Sequence, residues 1–212
     1  MTGACQYLHD TLSRLPRLRR EDLAQVPDNG IYVLFEKGEE GHGVERIVRI
    51  GTHTGQNNLA LRIREHLYTP NKDRSIFRKH VGRCLLAKEC DSFLTQWQID
   101  LTTKASRAMN GHKVDKARLK EVETEVTRYM TENFSFSALR FDTQAERLHY
   151  EKSLLSTMFH CRDCGPSETW LGKSHPTSAV MRGCGLWNMQ GLRGPLLSLD
   201  EAQRVIELGT QA

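Results

Sequence analysis

The stretch that most constrains the fold of this chain is Gly30–Gly51, where two runs rich in β-branched and aromatic residues flank a glycine-rich segment. The second run lies at 47–50, and residues 37–43 between the runs contain three glycines. Such runs are typical of strands, and glycine-rich segments are typical of turns. The stretch therefore predicts a β-hairpin. Two side chains with polar ends, Tyr32 and Arg49, lie among its apolar residues.

Three further patterns indicate an α+β fold. Residues 57–67 predict a helix with an apolar stripe, and residues 134–141 alternate apolar and small side chains as a third strand does. Thr143 and Glu146 form a capping box that opens a helix running to about residue 159. We therefore expect a small three-stranded antiparallel sheet flanked by helices.

The length of 212 residues suits one domain with additions. We assign residues 1–160 to that domain and expect a helical insertion, at about 70–133, to pack on its outside. Residues 161–212 are expected to form a C-terminal extension packed on the domain. Within the insertion the patterns predict helices at 76–86, 93–101 and 115–133 and a polar loop at 103–114.

On two of the predicted helices, charged or polar side chains lie on or beside the apolar face. Arg62 and His66 are four residues apart and share one face of the helix predicted at 57–67, so both can point at the end of the hairpin. An ordinary amphipathic helix with an outward arginine has the same spacing. Glu151 lies between apolar residues of the later helix, where a carboxylate is costly unless it is paired or binds a cation. An ion pair with Arg62 or Arg147 would explain it as well as a metal would.

Positive charge is concentrated between residues 61 and 83, which hold seven Lys or Arg against two acids in a chain of net charge +4. A concentrated basic segment suits a polyanion such as DNA or RNA, although a solvated helix face has the same composition. Besides Arg62, the candidate nucleic-acid contacts are Arg64, Lys72, Arg74, Arg78, Lys79 and Arg83.

The six cysteines point to a reducing compartment, because the N-terminal residues lack the continuous apolar run of a secretory signal. A cytoplasmic location is therefore expected. No stretch approaches the ~20 apolar residues of a membrane span. Cys161 and Cys164 form a single C-x-x-C, whereas structural zinc needs four ligands. Free thiols packed near a helix end are the favoured interpretation of this pair.

The order of these elements is hairpin, helix with Arg62, third strand and helix with Glu151, and it resembles that of the GIY-YIG nuclease family. Gly30-Ile31-Tyr32 matches the first signature triplet, and Arg49-Ile50-Gly51 occupies the place of the second, with arginine where the family usually has tyrosine. Arg62 followed four residues later by His66 is similar to the family's helix motif. Glu151, with an apolar pair after it, resembles the metal-binding glutamate, and Asn188 resembles a distal asparagine of restriction-type members.

The resemblance implies metal-dependent hydrolysis of phosphodiester bonds. Glu151 would hold Mg²⁺ or Mn²⁺, and Arg62 would stabilise charge on the phosphate oxygens. Tyr32 would accept a proton from the attacking water. An ordinary phenol has a pKa of about 10, so a nearby cation, Arg49 or Arg62, is needed to stabilise the phenolate.

Two further residues keep alternative roles under this resemblance. His66 orients Tyr32 or contacts phosphate, and Asn188 positions the phosphate or buttresses the site. Three functions stay open: a DNA endonuclease of restriction or mobile-element type, a structure-specific repair nuclease, and an inactive nucleic-acid-binding module that keeps the fold. Arg49 is the main support for the inactive module. A palindromic DNA site would favour a homodimer.

Overall fold

A three-stranded antiparallel sheet lies at the centre of the computed structural model, which describes residues 2–211. The strands are β1 (Gly30–Gly41), β2 (Val44–Thr52) and β3 (Phe134–Arg140), in the spatial order β2-β1-β3. The helices are α1 (Thr2–Leu12), α2 (Leu59–Leu67), α3 (Ile76–Lys88), α4 (Leu94–Trp97), α5 (Lys104–Asn110), α6 (Lys116–Asn133), α7 (Gln144–Phe159), α8 (Ala179–Cys184) and α9 (Leu199–Thr210). The expected α+β fold is confirmed.

The hairpin is longer than its sequence indicates. Pairing between β1 and β2 is irregular after Phe35 and resumes at Glu40, ending with Gly41 opposite Val44. The turn therefore consists of His42 and Gly43 alone, with φ of 55° and 82°. A two-residue turn with positive φ at both positions matches the right-handed twist of the strands. The predicted hairpin is therefore present, but the predicted turn at 37–43 was too long.

A bulge in β2 changes the direction of the site residues. Leu34 pairs with Arg49 but Phe35 pairs with Ile47, which leaves Val48 as the extra residue. Because of the bulge, the consecutive residues Val48 and Arg49 both face the side of the sheet that carries Tyr32.

Each face of the sheet is covered by its own core. Tyr32 and Leu34 point into the core that contains α2, α3 and α6, whereas Ile31 and Val33 point into the core with α1, α7 and α9. The period-two alternation of a strand produces this division. Since both faces of the first half of β1 are buried, residues 31–35 are all apolar or aromatic, whereas the second half carries charged residues.

The sequence suggested an insertion packed on the outside of the domain, but in the structure the insertion contributes to the core. Phe77, Trp97 and Val126 are fully buried, in the same core as the sheet. An ion pair between Arg78 of α3 and Glu123 of α6, 2.7 Å long, lies in the interior as well. The many charged residues of these helices had suggested a position on the surface, but the charges of Arg78 and Glu123 are buried in their ion pair.

Most of the other helix predictions hold. The long helix α6 begins where predicted, with Asp115 as its N-cap, and Thr143 caps α7. The helix expected at 93–101 is only the short α4, and the loop expected at 103–114 contains α5. Thr103 caps α5 through its hydrogen bond with Ser106, which a reading of this segment as polar loop overlooked.

The C-terminal residues contribute directly to the core around the sheet. The indole nitrogens of Trp170 and Trp187 donate hydrogen bonds of 2.8 and 2.9 Å to Oε2 of Glu36 on β1. Both tryptophans belong to the core of the Tyr32 face. The division at residue 160 remains a prediction. Within the part of the chain that the structure describes, no helix is long and apolar enough to cross a bilayer.

The buried pair of Arg78 and Glu123 supplies a test of this packing. Replacing Arg78 by Met leaves the carboxylate buried without its cation, which costs about 3–5 kcal/mol in comparable pairs. We expect the free energy of unfolding in urea to fall by that amount. The exposed Arg64, replaced by Met as a control, should change it by less than about 0.5 kcal/mol. A loss below about 1 kcal/mol for Arg78→Met would contradict the buried placement.

Candidate active site

A cleft of ≈ 580 Å³ opens beside the end of the hairpin, where Tyr32 pairs with Gly51. A second cavity of ≈ 560 Å³ shares part of its lining, including Arg62 and Glu151, so these two residues stand between the cavities. The residues predicted to be catalytic all line the cleft: Tyr32, Arg49, Arg62, His66, Glu151 and Asn188.

The outer edge of β2 forms one wall of this cleft and is closed by groups from the C-terminal segment. The backbone N–H of Trp187 donates to the carbonyl of Val48 at 2.8 Å. Asn188 bonds to Ile50 twice: Oδ1 accepts from its N–H at 3.2 Å and Nδ2 donates to its carbonyl at 2.8 Å. Since these bonds use both polar atoms of its side chain, Asn188 here buttresses β2.

Glu151 bonds to the same edge of β2 at Thr52, the next outward-facing residue after Ile50. Its Oε1 accepts a hydrogen bond of 3.1 Å from the N–H of Thr52. Among residues 2–211, Oε2 receives no hydrogen bond and Glu151 has no ion-pair partner. The expected alternative, an ion pair, is therefore wrong: Arg62 pairs with Glu65, and Arg147 donates to backbone carbonyls.

Burial raises the pKa of Glu151 above its ordinary value. The charge of Arg49, the hydrogen bond from Thr52 and the charge of Arg62 act in the opposite direction without cancelling the effect of burial. The cleft thus contains a half-buried carboxylate whose charge no neighbouring cation neutralises by contact.

Tyr32 and Arg49 lie side by side at the back of the cleft. Tyr32 is 1% exposed, and its phenol oxygen accepts a hydrogen bond of 3.3 Å from Nε of Arg49. Arg49 also donates to the carbonyl of Trp187 at 3.1 Å and lies over the ring of Phe77. These contacts hold the guanidinium against the phenol.

Gly51 is required by this arrangement. A Cβ at this position would lie 2.3 Å from the phenol oxygen of Tyr32, far inside van der Waals contact. Any larger residue would displace the tyrosine from the cleft. The glycine of the second signature triplet is thereby explained by the tyrosine of the first.

His66 is buried and neutral. Its Nδ1 lies 2.6 Å from Oγ of Ser75, which accepts a hydrogen bond from the N–H of Arg78. We assign the serine hydroxyl as donor to Nδ1, which places the imidazole proton on Nε2. Burial lowers the pKa of His66 well below its ordinary value, and three nearby arginines lower it further. The ring lies 5.9 Å from that of Tyr32, and no hydrogen bond joins the two among the described residues.

Arg62 lies at the rim of the cleft and forms hydrogen bonds to Glu65 and Arg74. Its Nη1 donates to Glu65 and to the carbonyl of Arg74, both at 3.2 Å. Glu65 in turn accepts two hydrogen bonds from the guanidinium of Arg74, at 3.1 and 3.2 Å. One carboxylate therefore orients two arginines at the entrance.

The predicted nucleic-acid contacts separate into two groups. Arg64 and Arg74 are exposed, and Lys79 and Arg83 are partly exposed. The remaining two, Lys72 and Arg78, are buried and lie out of reach of a phosphate. Lys72 donates to the carbonyl of Ile99 at 2.9 Å, and Arg78 pairs with Glu123. Their inclusion was wrong because positive charge in a sequence does not distinguish surface from buried ion pairs.

Sequence reasoning missed several residues of the cleft, among them His80, Lys152 and Gln190. Nδ1 of His80 lies 2.9 Å from Nε2 of His175, and burial lowers the pKa values of the two to about 3 and about 4. These histidines are 95 residues apart, so no local spacing joins them. Lys152 directly follows Glu151, and that adjacency was an available signal.

The fold is a small antiparallel sheet flanked by helices, with a polar cleft beside its hairpin, as the motifs of the sequence predict. A model of the GIY-YIG domain family matches residues 5–206, and the chain belongs to this family of nuclease-type endonucleases. Neither a curated protein nor a solved structure matches the chain. The resemblance is confirmed, and the match extends across the insertion and most of the C-terminal segment.

The raised pKa of Glu151 predicts a cost in stability. Because the folded pKa lies above the ordinary value of 4.5, the group stabilises the fold below pH 4.5, and this contribution is lost as pH rises through the folded pKa. Glu151→Gln should therefore unfold at higher denaturant concentration than wild type at pH 7, without added divalent metal. The gain should vanish below about pH 4.5.

The matched control is Glu132→Gln, on the exposed side of α6. It should show no such pH-dependent gain. A Glu151→Gln protein less stable than wild type at pH 7 would contradict the uncompensated carboxylate.

Proposed function

We propose that this protein is an active, metal-dependent DNA endonuclease, of restriction type, that hydrolyses phosphodiester bonds. One observation carries the proposal: Glu151, a half-buried carboxylate with a free oxygen, shares a cleft with Arg62 and with the contacting pair Tyr32 and Arg49. The similarity of Asn188 to the distal asparagine of restriction-type members supports the restriction-type assignment.

Glu151 fits the divalent metal that the family implies. A hard cation such as Mg²⁺ prefers oxygen ligands and keeps several of its waters, so one carboxylate oxygen facing an open cleft suits it. Oε2 is that oxygen, since Oε1 is held by Thr52. When bound, Mg²⁺ or Mn²⁺ would neutralise the scissile phosphate and the leaving oxygen as a Lewis acid.

Tyr32 takes the proton of the attacking water in this proposal. The guanidinium of Arg49 donates a hydrogen bond of 3.3 Å to the phenol oxygen and is the cation beside the group that accepts the proton. Arginine at position 49 thereby supplies a cation where the family usually has a second tyrosine. The contact favours activity over the inactive alternative.

Arg62 stabilises the charge that develops on the phosphate oxygens. Its planar guanidinium matches the geometry of a phosphate, and its position at the rim allows it to exchange Glu65 for the substrate. His66, kept neutral by burial, is a hydrogen-bond donor toward the cleft. Asn188 acts as a positioning residue, since it holds the strand that carries Arg49.

DNA would lie across the cleft and contact the exposed arginines Arg64 and Arg74, with Lys79, Arg83 and Lys152 beside them. None of the six cysteines forms a disulfide, which supports a cytoplasmic protein. The described residues give no support for a homodimer.

Supercoiled plasmid tests the activity and the metal site together. Wild type should cut in Mg²⁺, and Glu151→Gln should lose cleavage at least a hundredfold while it still retards a DNA duplex in a gel. Glu132→Gln should cut like wild type. Wild-type cleavage by Glu151→Gln would remove Glu151 from the site, and DNA binding without cleavage by wild type would favour the inactive module.

The role of Tyr32 is tested by the dependence of the cleavage rate on pH. Tyr32→Phe should lose roughly a hundredfold to ten-thousandfold, as expected for a general base. Arg49→Met should keep Tyr32 but lower the cleavage rate, because the phenol oxygen loses the cation that contacts it. Arg49→Lys, which retains the charge, should lower the rate less. If Tyr32→Phe cleaves at the wild-type rate at every pH, the proton acceptor is another group.

A further inference from the structure

Four side chains outside the cleft converge at the tip of the hairpin: Cys5, His42, Cys161 and Cys164. Cys5 comes from α1, His42 from the turn between β1 and β2, and the other two from the loop after α7. One ligand atom from each lies within 4.8 Å of all the others. None of the four lines the candidate active site.

The distances within the cluster are those of ligands around an ion. Sγ of Cys5 lies 3.6 Å from Sγ of Cys164, and Sγ of Cys161 lies 3.4 Å from Nε2 of His42. With Zn–S and Zn–N bonds of ~2.3 and ~2.0 Å, a tetrahedron has S···S edges of about 3.8 Å and S···N edges of about 3.5 Å. A disulfide would bring two sulfurs to about 2.0 Å.

The backbone around the hairpin tip accommodates this convergence. At Gly41 a Cβ would lie 2.8 Å from Cβ of Cys164, so glycine permits the cysteine to approach the strand. His42 has a φ of 55°, in a turn position that usually holds asparagine, aspartate or glycine. A histidine that accepts this backbone conformation with its Nε2 against a thiol is consistent with selection for its imidazole.

We propose that Cys5, His42, Cys161 and Cys164 bind one Zn²⁺ tetrahedrally and so fasten α1 and the loop after α7 to the hairpin tip. Four protein ligands leave no open position, which is typical of a structural zinc site. Three thiolates select zinc over Mg²⁺. The C-x-x-C alone offered two ligands, and the other two are distant in sequence. Free thiols were therefore the favoured interpretation of this pair, and the cluster revises it.

The zinc site is separate from the proposed magnesium site. Along α7, Glu151 precedes Phe159 by eight residues, which is about 12 Å of helix, and the cysteines follow. Binding takes the thiolate form of three cysteines and releases their protons. The metal's binding free energy then adds to the stability of the fold.

Metal analysis tests the proposal without any measurement of cleavage. Full-length protein without a histidine tag, purified in reductant, should contain one zinc per chain by inductively coupled plasma mass spectrometry. Cobalt should replace it and give the thiolate charge-transfer bands and intense d–d bands of a tetrahedral centre. Cys161→Ser and Cys164→Ser should lose the zinc, and the exposed Cys90→Ser, outside the cluster, should retain it.

His42→Asn keeps the fold testable if a cysteine variant fails to fold, because asparagine suits the turn. This variant should lose zinc, and a chelator should lower the melting temperature of wild type but not that of His42→Asn. The proposal is overturned if reduced wild type contains no zinc and gives no tetrahedral cobalt spectrum. Full zinc occupancy in Cys164→Ser and His42→Asn, or a Cys5–Cys164 disulfide in place of metal in freshly isolated protein, would also overturn it.

Discussion

The open edge of β2 is the constraint on which the rest of the site depends. An edge strand presents backbone N–H and C=O groups that must find partners when they are buried. Here Trp187, Asn188 and Glu151 supply those partners at three successive outward-facing positions. The groups that complete the sheet are therefore the groups that define the cleft. One oxygen of Glu151 is fixed by this requirement, and the residue lines the cleft.

Buried hydrogen bonds to β1, the strand beside β2, fix the C-terminal segment that covers this edge. Glu36, on the neighbouring strand, accepts hydrogen bonds from Trp170, Trp187 and Tyr129. Burial raises the pKa of Glu36, although those three donors oppose the shift. Trp187 joins the two systems, because its side chain binds Glu36 while its backbone contacts Val48 and Arg49. The C-terminal segment is thus part of the scaffold of the candidate active site.

Local sequence patterns predicted the elements well because period and capping are local properties. The hairpin and α6 followed from their apolar patterns, and α7 followed from its apolar stripe and the cap at Thr143. The spacing of Arg62 and His66 on one helix face placed both in the cleft. Contacts between distant segments could not be predicted this way. Arg78 appeared to be a surface cation because its partner Glu123 lies 45 residues away, and Cys5 and His42 gave no local signal of the cluster with Cys161.

The central claim is that the free oxygen of Glu151 faces the cleft to bind a divalent cation beside Tyr32 and Arg62. Anomalous diffraction from crystals soaked in Mn²⁺ tests it most directly, because manganese is located without reference to activity. The account predicts a strong peak at the cleft side of the Glu151 carboxylate, with Oε1 still accepting the hydrogen bond from Thr52. Manganese bound at Glu65 instead, with Glu151 free of metal, would contradict it.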